Sequence, residues 1–221
     1  SFNPTLKEAE AETKKVMDWA GLTDLQKLRA ASTEILYTVG TLYNMVNKTD
    51  VFLMQRPIID GYVSLKNFDE ATREGSIADV PYMIGYTLND MGYMGPGIAE
   101  FCNVRQEKGG KAWACEFARP LPDDGKHPEI TDRLKGAFHS SDLWFVFKSL
   151  KHCWRPWTQG DWDLSEKMLT YWTNFAKYSN PNGQQDGSWT PCTTESPKFM
   201  LFKLNDKDAE ASEMGDIILP K

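Results

Sequence analysis

Val80-Pro81-Tyr82-Met83-Ile84-Gly85-Tyr86 is a nearly continuous apolar run, bounded by Asp79 on one side and by the largely polar Thr87-Leu88-Asn89-Asp90 on the other. A run of this length without hydrophobic-polar alternation is the pattern of a strand buried on both faces of a parallel sheet. Pro81 has no amide to give to a ladder and belongs at the first strand position. Lys111 to Ala118, KAWACEFA, reads as a second strand, reached through a helix around Gly97 to Glu107 that Gly109-Gly110 ends. Strand, helix, strand is a crossover unit, which places the chain in the α/β class with a mostly parallel sheet flanked by helices.

Upstream, Thr5-Leu6-Lys7-Glu8 has the form of a capping box, and Leu6, Ala9, Thr13, Val16, Met17 and Ala20 then recur at helical spacing up to Gly21. A second box, Thr23-Asp24-Leu25-Gln26, opens a short helix, and Ile35, Leu36, Val39, Tyr43 and Val46 share one face of a third. All three read as helices packed against other structure. Pro57 to Gly61 is a short apolar run ended by a turn, and the polar stretch Asn67 to Ala78 has room for one short helix. Downstream, the Pro-, Asp- and Gly-rich connection from Arg119 to Lys135 has the length of a functional or mobile loop. A helix from about Asp161 to Tyr178 turns Leu164, Met168, Tyr171, Trp172 and Phe175 inward, Asn180-Pro181-Asn182-Gly183 makes a turn, and Lys198 to Leu204 forms a last strand.

With 221 residues, 41% of them hydrophobic, the chain can bury one sizeable core. The net charge of -6 is spread along the chain without runs of like sign, which argues against a nucleic-acid partner. No stretch approaches the roughly 20 apolar residues that span a bilayer. The aromatic residues that concentrate between Trp144 and Trp172 read first as core. Cys102, Cys115, Cys153 and Cys192 form no CxxC pair, so a metal site is not expected; buried free thiols are the default, with a disulfide left open for an exported protein. Asn47-Lys48-Thr49 is a glycosylation sequon, meaningful only in a secreted protein.

Of three histidines, His127 precedes Pro128 in a charged loop and reads as solvated, while His152 follows an apolar helix-like run. His139 differs: it ends a loop, after the small Gly136 and Ala137, just before the helix start Ser140-Ser141-Asp142-Leu143-Trp144. Asp90 lies in the loop after the first strand, at the carboxyl edge where parallel sheets present catalytic groups. Taken singly, His139 reads first as a buried structural histidine and Asp90 as a turn aspartate. Together, an acid after one strand and a histidine after the next follow the last part of the order Ser, Asp/Glu, His of α/β-hydrolases.

Longer blocks carry a resemblance. PIIDGYVSLKNFDEATREGSIADVPYMIGYTLNDMG resembles the type-B carboxylesterase segment running to the loop of the triad acid, and GAFHSSDLWFVF, WRPWT and MLTYWTNFAKYSNPNG resemble that family's histidine loop and last long helix, in the same order. Cholinesterase-like and bacterial para-nitrobenzyl-esterase-like proteins belong to this family. The resemblance implies that residues 1–221 are the carboxyl-terminal portion of a single α/β-hydrolase domain. It further implies that His139 is the general base, that Asp90 stands where many members carry glutamate, and that the substrate is a small carboxylic ester. Met91 departs from the glycine that often follows the acid.

Neither G-x-S-x-G nor a His-Gly-Gly oxyanion segment occurs in the chain. Ser140 and Ser141 adjoin His139 but follow no strand in a Gly-flanked elbow, and Ser141 reads as a helix N-cap. The expectation is therefore a portion of a roughly twofold larger serine carboxylesterase, inactive alone, whose partner is the amino-terminal segment that bears the nucleophile. The alternative from another class is a non-catalytic cholinesterase-like module for protein binding. Retention of both His139 and Asp90 favours the enzyme.

Overall fold

The computed structural model describes residues 3–51, 57–127, 132–204 and 211–216. The chain divides into two compact units, Ser1–Glu74 and Gly75–Lys221.

The first unit is helical. Helix α1 (Leu6–Trp19) starts at a reciprocal capping box between Thr5 and Glu8, which satisfies two amides that the first turn leaves without partners. Helix α2 (Leu25–Ala30) is capped by Asp24, whose carboxylate accepts the Lys27 amide, and not by the expected Thr23. Helix α3 (Thr33–Asn47) is capped by Ser32. The small core comprises Val16, Met17 and Val39, with Leu22, Leu28 and Tyr43 against it. Most apolar positions of α3, including Ile35, Leu42, Met45 and Val46, are exposed. Pro57 to Gly61 forms no named strand; Ile59 makes a single parallel bridge to Thr5, and the Asp60 carboxylate gathers the amides of Tyr62, Val63 and Ser64 into a turn. Helix α4 (Phe68–Glu74) fills the expected polar stretch.

The second unit is built on a four-stranded sheet, β1 (Tyr82–Thr87), β2 (Ala112–Phe117), β3 (Lys198–Leu204) and β4 (Ala211–Asp216), paired in that order. The first three strands are parallel and β4 is antiparallel. Helix α5 (Gly95–Glu107), with Pro96 in its first turn, makes the crossover from β1 to β2 and ends before Gly109, whose φ is +81°. Helix α6 (Leu143–Val146) and the long α7 (Gln159–Tyr178), started by a Thr158–Asp161 capping box, lie between β2 and β3.

Alternation along β2 sorts the two faces of the sheet. Trp113, Cys115 and Phe117 join Phe145, Leu164, Met168, Trp189 and Phe202; Ala112 and Ala114 join Tyr86, Ile98, Cys102 and Phe199. Leu164 and Met168 of α7 are buried, with Tyr171, Trp172 and Phe175 against the first of these clusters, as the helical periodicity requires.

One expectation is corrected. Strand β1 is not buried on both faces: among the described residues it pairs only with β2, Val80 is 49% exposed, and Tyr82, Met83 and Ile84 are half-buried. Its composition fits an interior strand, but burial is set by neighbours, and here β1 stands at the edge. No described helix is long and apolar enough to cross a membrane.

Candidate active site

The site is assembled by the loops that leave β1 and β2. Parallel neighbours direct their carboxyl ends the same way, so the chain leaving Thr87 and the chain leaving Phe117 emerge on one edge of the sheet. The two strands approach closely at the Gly85–Cys115 pair, where a Cβ on Gly85 would meet the Cys115 sulfur at 2.3 Å and its carbonyl oxygen at 2.9 Å.

Beyond the sheet, Asn89 and the 136–138 segment continue the pairing as a parallel bridge between Asn89 and Phe138. The Asn89 amide donates to the Ala137 carbonyl at 2.9 Å, and the Ala137 amide donates to Asn89 Oδ1, also at 2.9 Å. Two residues beyond Ala137 comes His139, and one beyond Asn89 comes Asp90. His139 Nδ1 lies 3.1 Å from each oxygen of the Asp90 carboxylate. The structure thus brings together the two residues singled out in the sequence. Asp90 is held in turn by the Thr87 hydroxyl, which donates to Oδ2 at 3.2 Å, and by the Met91 amide, which donates to Oδ1 at 2.7 Å.

Partial burial works to raise the Asp90 carboxyl, but the hydrogen bonds from His139 and the Met91 amide outweigh it, and the group is held below its ordinary value. Asp90 is therefore a carboxylate at neutral pH. Asp142 stands nearby in the opposite condition: burial pushes it up, the Asp90 charge pushes it further, and His139 only partly offsets this.

His139 and Asp90 border a cavity of about 370 Å³ whose walls include Met83, Gly85, Phe117, Met168, Trp172 and Phe202. Thr87, Ser140 and Asp142 also line it, so polar and apolar groups share its walls about equally. The His139 side chain is 66% exposed and that of Asp90 only 15%, so the acid is sheltered while the base is open to the cavity. Ser140 comes next, with φ +68°, a left-handed conformation that costs a non-glycine residue about 1–2 kcal/mol. Such strain beside a candidate catalytic group fits the habit of functional sites.

The other candidates fall elsewhere. His152 is exposed at the end of a short 3-10 turn. His127 is half-buried and not simply solvated, stacked on Trp154 with ring centroids 3.4 Å apart. Ser141 does not cap α6: the N-cap is Asp142, without a side-chain bond, and the buried Ser141 hydroxyl has no hydrogen-bond partner among the described residues. Sequence reasoning passed over Thr87 and Asn89. Their signal was position, two polar side chains at the carboxyl end of an apolar strand, immediately before the acid.

A crossover sheet flanked by helices, with an acid and an imidazole at its carboxyl edge, has the form of an α/β-hydrolase, and comparison with known proteins shows that fold. Residues 93–216 match the Carboxylesterase family, to which the chain belongs. Carboxylesterase 5A of Canis lupus familiaris is 28% identical over 127 residues, covering 53% of this chain and 20% of that protein. Juvenile hormone esterase of Tribolium castaneum is 35% identical over 63 residues, covering 28% of this chain and 11% of that protein. A solved thermophilic PNB esterase superposes on 96% of this chain and 53% of its own with a TM-score of 0.67 at 17% identity, which shows the α/β-hydrolase fold. The match thus spans about half the length of the solved relative and about a fifth or less of these two curated ones.

Proposed function

We propose that the chain is the carboxyl-terminal portion of a single α/β-hydrolase domain and supplies the base and acid of a serine carboxylesterase. The nucleophilic serine and the oxyanion-hole amides come from a segment outside this sequence. The observation that carries the reading is the Asp90 carboxylate astride His139 Nδ1, both oxygens at 3.1 Å, on the wall of a cavity lined by apolar and polar groups alike. With Nδ1 protonated and bonded to Asp90, the other ring nitrogen, Nε2, is the free base.

In this reading Nε2 takes the serine proton as the serine oxygen attacks the ester carbonyl. The imidazolium, stabilised by Asp90, returns the proton to the departing alcohol. Water deacylates the enzyme by the same route, with His139 again as base. Each step needs only proton transfer and a pre-formed anion site, so the reading assigns no metal or organic cofactor. The apolar part of the walls, Met83, Phe117, Met168, Trp172 and Phe202, suits the hydrocarbon part of a small carboxylic ester.

The test uses the complete protein that contains this sequence, treated with a serine-directed phosphonate and assayed on short-chain aryl esters. Stoichiometric labelling of one serine upstream of this sequence, with loss of hydrolysis, is expected. Absence of both labelling and hydrolysis would overturn the reading in favour of a binding module.

A further inference from the structure

All four cysteines are free, and three of them, Cys102, Cys115 and Cys192, are buried. Two stand together. Cys102 lies on α5 one turn before Gln106, and Cys192 lies in the segment that leads into β3. That segment is tied down at two points. The Cys192 amide donates to the Ala112 carbonyl at the start of β2, at 2.9 Å. Gln106 holds its continuation, accepting the Thr194 amide at 3.0 Å and donating to the Glu195 carboxylate at 2.8 Å. Residues four apart share a helix face, so the face of α5 that grips Thr194 and Glu195 through Gln106 also presents Cys102.

The two thiols are buried in one and the same core cluster, that of Ile98, Phe101 and Phe199, at 0% and 1% exposure. The neighbouring Cys192, with burial adding to it, pushes the Cys102 thiol far up, while Cys102 holds Cys192 below the ordinary thiol range. Cys115 belongs to the cluster on the other face of β2, where burial pushes its thiol up. Each backbone is fixed by bonds that do not involve the sulfurs, so the two side chains are kept in the same cluster. A disulfide asks for Cβ atoms about 3.5–4.5 Å apart and little backbone movement.

We propose that Cys102 and Cys192 are a covalent cross-link site, closed by a low-molecular-weight disulfide such as oxidised glutathione. The Cys192 thiolate attacks one sulfur of the small disulfide and expels its partner thiolate, leaving a mixed disulfide on Cys192. Cys102 then loses its proton and attacks the Cys192 sulfur, expelling the second small thiol. The protein gives up two hydrogens and two electrons, and one disulfide becomes two thiols. Because both sulfurs are buried, exchange occurs as the chain folds or through transient opening. The bond ties α5 to the segment entering β3 and closes a long loop that contains β2 and α7, the circumstance in which a cross-link most restricts the unfolded chain. In a reducing compartment the same two side chains remain a packed thiol pair. The inference is independent of the esterase reading.

The protein is folded in a glutathione buffer rich in the oxidised form, denatured with alkylating agent and no reductant, and digested. A peptide pair joining Cys102 to Cys192, lighter by two hydrogens, is expected, with Cys115 and Cys153 alkylated. The oxidised protein should melt above its reduced form, and Cys102→Ser and Cys192→Ser should each abolish that difference while Cys115→Ser preserves it. Complete alkylation of Cys102 and Cys192 after oxidation, or their linkage to Cys115 or Cys153, would overturn the proposal; because it reads the unmutated protein, this outcome does not depend on any variant folding.

Discussion

Asn89 grips Ala137 twice, donating its backbone amide to the Ala137 carbonyl and accepting the Ala137 amide on its side-chain Oδ1, both at 2.9 Å. Asp90 and His139 are carried on the two sides of this clasp. Gly136 completes it: its φ is +78°, and a Cβ there would stand 2.5 Å from Asn89 Oδ1. Gly136→Ala therefore meets a steric clash and a left-handed penalty of about 1–2 kcal/mol. It should lower the midpoint of chemical unfolding and, in the complete enzyme, reduce kcat more than it raises KM. Asn89→Ala in the same background should recover the steric part only. Wild-type kinetics in Gly136→Ala would show that the clasp does not position the histidine.

In the complete enzyme, His139→Ala should lower kcat/KM for an aryl ester by several orders of magnitude, on the order of 10⁴-fold or more, and Asp90→Asn by a similar or somewhat smaller factor. The acid acts through the imidazole, so the double variant should be hardly worse than His139→Ala alone. Multiplicative losses would mean that Asp90 works by a separate route.

The elements legible in the sequence were those whose burial is written into their own composition. Strand β3 falls at Lys198–Leu204 as expected, and α7 begins only two residues before the expected Asp161, because Thr158 caps it. Strand β4 went unread: Ala211 to Asp216 is mostly small or acidic and carries no apolar run, yet it pairs antiparallel with β3. The interior reading of β1 failed for the converse reason, since an apolar run cannot report which neighbours it lacks. At the site, the order of acid and histidine along the chain was visible. The Asn89–Ala137 clasp was not, because it joins residues 48 apart through a turn geometry that no local pattern encodes. The Thr23 and Ser141 caps were misplaced where two polar residues stood side by side and only backbone geometry chose between them.

Asp142 should reveal itself through pH. Burial raises its folded carboxyl above the ordinary value of 3.8. The folded state thus prefers the protonated form, and stability that is fully present below that value is lost as pH rises through the folded value. Asp142→Asn imitates the protonated group. It should raise Tm at neutral pH, by an amount that shrinks on acidification and vanishes below about 3.8. A Tm difference independent of pH would show that the charge on Asp142 carries no cost.

The ion pair of the half-buried Arg119 with Asp161 anchors the start of the long loop to the start of α7. Arg119 Nε and Nη2 reach the two carboxylate oxygens at 2.7 and 3.1 Å, and the same carboxylate accepts the Thr158 amide and hydroxyl. Asp161 is fully buried. Arg119→Met leaves that charge without its cation, for which the cost is about 3–5 kcal/mol, whereas Asp161→Asn keeps part of the cap and should cost less. Urea unfolding measures both. A loss under about 1 kcal/mol in Arg119→Met would place the pair among those whose desolvation cancels their attraction.

The open side of β1 should govern how the isolated chain behaves. Among the described residues this strand has a partner on one side only, yet its sequence is apolar throughout, and Val80 and Leu88 are 49% and 44% exposed. Unpaired amides and carbonyls beside half-buried Tyr82, Met83 and Ile84 form an edge that invites another strand. On the proposed function, that strand comes from the same absent segment that holds the serine, so a structural lack and a catalytic lack share one cause. Purified alone, the 221-residue chain should self-associate in sedimentation experiments, hydrolyse no short-chain aryl ester and take up no phosphonate. Co-expressed with the upstream segment, it should sediment as one compact species, and label should appear on a serine of the added segment, because the missing oxyanion donors and nucleophile arrive together. Hydrolysis by the lone chain that disappears in Ser140→Ala or Ser141→Ala would instead put the nucleophile beside His139 and overturn the reading of the chain as one part of a larger enzyme.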